Sequence, residues 1–126
     1  MAPRFRKPTD AELAILRVLW ARGPSTVRQV AETLGRETGY TTVLKLLQIM
    51  TEKRLVRRDE TQRTHVYQAA YSEDQTQSQL VSDLLDRAFG GSAAKLVLRA
   101  LAGSRVSADE LAAIGQLLDK QRGGPK

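Results

Sequence analysis

Residues 41–66 constrain the fold more than any other stretch of this chain. The run TTVLKLLQIMTEKRLVRRD begins with helical spacing. At 100° per residue, Val43, Leu46, Leu47 and Met50 fall on one side and predict a core-facing stripe. The opposite side carries Thr41, Lys45, Gln48 and Glu52, flanked by Thr42 and Leu44. Residues 55–59 and 64–68 then switch toward a period of two, separated by the polar run Glu60-Thr61-Gln62. A helix running directly into an arginine-bearing hairpin is compatible with few small folds.

The upstream sequence supplies the rest of that unit. Thr9 with Glu12 forms a capping box, and Leu13, Leu16, Leu19 and Trp20 predict a first helix over residues 10–21, closed by Gly23-Pro24. Ser25 is expected to cap a second helix, whose apolar positions are Val27, Val30, Ala31 and Leu34 and whose stop is Gly35. Helix three starts near Tyr40. Within the hairpin, Val66 is expected to face inward. Three helices followed by a hairpin predict a mainly α chain headed by a winged helix-turn-helix over residues 9–71, after a disordered basic arm at 1–8.

A different region starts at Ser72, a helix cap followed by Glu73 and Asp74 where the helix dipole favours acids. Gly90-Gly91 ends that helix, Ser92 caps a shorter one, and Ser107 with Glu110 caps a third. Leu80, Leu84, Leu85, Phe89, Leu96, Val97, Leu101, Leu111, Ile114 and Leu118 make each helix apolar on one side. So short a helical region buries too little surface to stand alone. These helices could fold back on the first core; the favoured expectation is a symmetric two-fold homodimer, in which a second copy supplies the missing face. Residues 72–126 are therefore expected to be a helical dimerisation domain with a frayed tail.

Charge separates the two regions. Residues 1–71 hold 13 Lys/Arg against 7 Asp/Glu, whereas residues 72–126 hold 7 against 7, so the whole net charge of +6 lies in the first part. A basic half joined to a neutral half points to a polyanion partner for one of them. Thr41, Thr42, Leu44, Lys45 and Gln48 are the candidates for base or groove contact. Tyr40, Arg57, Arg58, Arg63 and Tyr67 are the candidates for phosphate or wing contact, with Arg63 the foremost. The expected partner is double-stranded DNA.

Other chemistries find no support. The chain has no cysteine and one histidine, His65, which removes disulfides, thiolate sites and a histidine metal centre. No Ser/His/Asp grouping or telling pair of acids stands out, so neither an enzyme nor a cofactor is expected. No apolar run approaches membrane-spanning length and no signal peptide opens the chain, so the expected location is cytoplasmic, without membrane insertion. Trp20 reads as a core residue.

The segments PTDAELAILRVLW, VRQVAETL, YTTVLKLLQIMTEKRLV and RTHVY, with FGGS further on, resemble the penicillinase-repressor family of the BlaI/MecI type over about residues 8–120. The resemblance implies a bacterial repressor whose winged helix binds palindromic operators and whose C-terminal helices form a homodimer. It also implies derepression by proteolysis, triggered by a membrane sensor-protease that detects β-lactam. The family's cut at an Asn–Phe bond corresponds here to Arg99–Ala100, a departure from that pattern. The C-terminal cysteines of copper-responsive relatives are missing, so a metal-sensing mechanism does not carry over. Two rival readings are a ligand-sensing repressor with a pocket near residues 71–85 and a winged-helix interaction module that does not touch DNA. A nonspecific nucleoid binder is a third.

Overall fold

The computed structural model describes residues 6–123. Six helices and one hairpin follow in the order α1 (Asp10–Arg22), α2 (Val27–Leu34), α3 (Tyr40–Glu52), β1 (Val56–Asp59), β2 (Val66–Ala69), α4 (Glu73–Ala88), α5 (Ala93–Ala102) and α6 (Ala108–Gly123). Residues 1–5 of the expected basic arm and 124–126 of the expected frayed tail lie outside the described residues; α6 itself continues to Gly123. Two compact units result, Met1–Ser82 and Asp83–Lys126. The division falls inside α4, beyond the Ser72 boundary suggested by the sequence. Thr76, in the first part of α4, is buried.

The first unit owes its core to the helical stripes. Ile15, Leu16, Val18 and Leu19 of α1 meet Val27 and Val30 of α2 and Val43, Leu47 and Met50 of α3, all buried. Leu55, Val56 and Tyr67 close this cluster from the hairpin side. Leu46, expected fully inside, is only partly buried against it. β1 and β2 pair antiparallel, with Val56 opposite Ala69 and Arg58 opposite Tyr67.

Two local expectations are corrected. Tyr67, not Val66, is the inward residue of β2: Tyr67 is 1% exposed, whereas Val66 is only partly buried. The period of two allows only one of these neighbours to enter the core, and the aromatic ring takes that place. The cap of α2 is Thr26, not Ser25. Ser25 is drawn into a β-bridge with Tyr67, whose N–H donates to its carbonyl at 2.8 Å while its own N–H donates back at 2.9 Å. The Ser25 hydroxyl donates to the Gly23 carbonyl, and the capping box passes to Thr26 and Gln29.

The junction of α3 and β1 is a Schellman turn. The Leu55 N–H donates to the Met50 carbonyl and the Arg54 N–H to the Thr51 carbonyl. Arg54 occupies its left-handed position at φ 64°, where glycine is usual. The same turn is tied to α1: Glu12 is 1% exposed, accepts from the Thr9 N–H, and receives the ammonium of Lys53, the C-cap of α3. The Trp20 indole donates to the Tyr71 carbonyl at 3.0 Å, pinning the end of α1 to the segment after β2.

The second unit buries no residue of α5 or α6 among the described residues. Leu84, Val97, Leu98, Leu111, Leu117 and Leu118 are exposed. Leu85, Phe89, Leu96, Leu101 and Ile114 are half-buried, as is Leu80 in the α4 segment of the first unit. Its caps are those the sequence implies: the Ser92 hydroxyl accepts from the Lys95 N–H, and Ser107 and Glu110 form the capping box.

Candidate nucleic-acid interface

Helix α3 presents the polar side its periodicity dictates. Thr41, Thr42, Lys45 and Gln48 are all exposed, directly opposite the buried Val43, Leu47 and Met50. Its start differs from that of the neighbouring helices. Thr9 and Thr26 cap α1 and α2, whereas α3 begins on Gly39 at φ 74° with no side-chain cap. The first N–H groups of α3 therefore have no side-chain acceptor among the described residues, and they point where the helix dipole favours an anion. Tyr40, half exposed, stands at that end.

The hairpin adds a second wall. Arg63, Thr64 and His65 before β2, with Tyr67 of β2, line an open groove of about 650 Å³ together with Thr26, Val27, Arg28 and Gln29 at the start of α2 and Tyr40 and Leu44 of α3. Tyr67, only 1% exposed, forms part of its floor, with its ring in the core. Leu44 is half-buried and forms part of the wall. Arg63 is exposed and joins no ion pair among the described residues.

The other arginines have different surroundings. Arg58 is held by Glu60 at 2.8 Å. Arg57 lies on the other side of the hairpin, beside Thr51, Arg54, Val56, Ala70 and Tyr71. The tip is ordered by Asp59, whose carboxylate accepts from the Thr61 N–H and hydroxyl at 2.9 and 2.7 Å. Those bonds hold the Asp59 carboxyl below its usual range, the backbone bond contributing most.

Sequence reasoning missed Arg28. It lies in the first turn of α2, on a helix read only for its apolar stripe, and becomes a groove residue because α2, α3 and the wing converge. The signal available was a lone exposed arginine two residues past a cap, which is indistinguishable from a solvated surface charge until the tertiary fold is known.

A family profile described as "Penicillinase repressor" matches residues 8–120. The chain belongs to the penicillinase repressor family. It is thus a bacterial DNA-binding transcriptional repressor by family and not an enzyme. Among its relatives is "Transcriptional regulator BlaI" of Mycobacterium tuberculosis, in strains CDC 1551 and H37Rv alike. Each is 35% identical over 118 residues, covering 91% of this chain and 85% of the relative. Among solved structures, the PcaV transcriptional regulator from Streptomyces coelicolor, crystallised with its natural ligand, is 18% identical with a TM-score of 0.45. That match covers 96% of this chain and 79% of the other. No helix among the described residues is long and apolar enough to cross a membrane.

Proposed function

We propose that this family member represses transcription as a cytoplasmic homodimer seated on a palindromic operator. The observation that carries the reading is the juxtaposition, in one unit, of the uncapped start of α3, its exposed Thr41, Thr42, Lys45 and Gln48, and the Arg63 wing. Helix α3 enters the major groove. Lys45 and Gln48 reach base edges, and the N–H groups near Tyr40 and Thr41 take a phosphate. Arg63 holds the flanking backbone or minor groove.

The exposed leucines and valine of α4, α5 and α6 support pairing of two chains through residues 72–126. That pairing places the two reading heads about 10 base pairs apart or a multiple of it. Linking two modest binding surfaces raises the effective concentration of the second, so derepression follows from breaking the dimer. Cleavage by a membrane sensor-protease, at the position of Arg99–Ala100, is one route. Those residues are exposed but lie within α5, so that helix must first open to present an extended bond.

A DNase footprint on the chain's own upstream region tests the reading. Protection of an inverted repeat with helical-turn spacing supports a dimeric repressor. Retention on duplex DNA that is insensitive to salt, or no retention at all, removes it.

A further inference from the structure

The groove of the first unit is lined by basic groups from two separate elements, Arg28 of α2 and Arg63 and His65 of the wing, together with Tyr40 of α3 and the buried Tyr67. Among the described residues, no aspartate or glutamate lines it. The acids nearest in sequence lie elsewhere: Glu12 is engaged by Lys53, Glu60 by Arg58, and Asp59 by Thr61, while Glu32 and Glu37 are exposed outside the lining. Arg28, Arg63 and His65 are all exposed, and none joins an ion pair among the described residues. A cleft of this kind suits a chain of phosphodiesters, which presents a singly charged oxygen pair at each step.

We infer that Arg28 and His65, brought to one groove by α2 and the wing, together hold the DNA sugar-phosphate backbone, and that His65, the chain's one histidine, makes operator affinity depend on pH. The inference rests on the DNA-binding role proposed above and deepens it. Histidine is the side chain whose charge changes between pH 5 and 8. A phosphate bound beside His65 favours its charged form. Binding therefore takes up a proton at His65, and by linkage affinity increases as pH falls. Arg28 stays charged throughout, so it contributes to affinity and to salt dependence but not to the pH response.

The test uses the full-length chain and the duplex from its own upstream region, with affinity measured by fluorescence anisotropy at pH 6 and pH 8 and at several salt concentrations. The wild type should bind about threefold to tenfold more tightly at pH 6 than at pH 8. His65→Gln keeps a hydrogen-bonding side chain but cannot charge, and should lose most of that ratio. Arg28→Gln should weaken binding at both pH values and reduce the salt slope by about one per protomer, since one phosphate contact is lost. Both positions are exposed, and unchanged thermal unfolding of the variants would show that the fold is intact. An identical pH ratio in the wild type and His65→Gln overturns the role of His65. Unchanged affinity and salt slope in Arg28→Gln overturn the role of Arg28. If wild-type retention on duplex DNA shows no salt dependence at either pH, the DNA-binding reading itself falls and this backbone contact with it.

Discussion

The Lys53 ammonium lies 3.0 Å from one carboxylate oxygen of Glu12 and 3.2 Å from the other, joining the end of α3 to the first turn of α1. Glu12 is at once a capping residue, through Thr9, and the acceptor of a long-range ion pair. Burial raises its pKa, but the Thr9 N–H and the Lys53 bond and charge outweigh that effect, and the carboxyl ends below its usual 4.5. Because folding lowers this pKa, the stabilisation is complete above about pH 4.5 and fades as the pH falls through the folded value. Glu12→Gln should cost about 1 kcal/mol at pH 7, the charged part of the contact only, since Lys53 remains partly solvated. Urea unfolding at pH 7 and pH 3 checks this: the gap between wild type and variant should narrow at the lower pH. A constant gap would show that the charge contributes nothing.

Arg54 adopts the left-handed position of the α3 Schellman turn. A side chain there costs on the order of 1 kcal/mol relative to glycine. Arg54→Gly should therefore raise the stability of the first unit by about 0.5–1 kcal/mol, with the gain in unfolded-state entropy taking back part of it. A raised melting temperature in calorimetry is the expected outcome. A lowered one would mean that the arginine side chain makes a stabilising contact that outweighs the strain.

Tyr67 tests the correction made to the wing. A buried aromatic truncated to alanine costs about 3–5 kcal/mol, so Tyr67→Ala should unfold the first unit at modest denaturant. Tyr67→Phe keeps the ring and should retain duplex affinity within about twofold, because the ring serves packing. A large loss of DNA affinity in a stably folded Tyr67→Phe would return the hydroxyl to the interface.

On the reading face, Lys45→Ala should weaken operator binding about tenfold and reduce its salt dependence, as the loss of one charged contact requires. The helix should be unaffected, since alanine favours it. Unchanged affinity in a gel-shift titration would take α3 out of the interface.

For the assembly, Leu98→Glu places a charge on the most exposed leucine of α5, which is 66% exposed. Light scattering should then report a species near 13.9 kDa in place of a dimer, and operator affinity should fall at the same time. A wild type that is monomeric at micromolar concentration would refute the dimer directly.

The sequence alone determined the elements and the sidedness of α3. Periodicity decides which face is apolar, which made α3 legible, and hydroxyl caps at Thr9, Ser72, Ser92 and Ser107 decide where α1, α4, α5 and α6 start. The family was legible in segments such as PTDAELAILRVLW and YTTVLKLLQIMTEKRLV, which in this chain also supply much of the core. Only the tertiary structure decided what the polar residues face. Ser25 lost its cap role to a backbone bridge with Tyr67, and one-residue parity in β2 sent Tyr67 inward in place of Val66. Glu12 found Lys53 across 41 residues, and Arg28 entered a groove through the approach of a wing far along the chain. These are non-local contacts, and charge or polarity at a single position carries no information about which distant group it will meet. Burial is patterned along the chain, whereas partnership is set by how the elements pack.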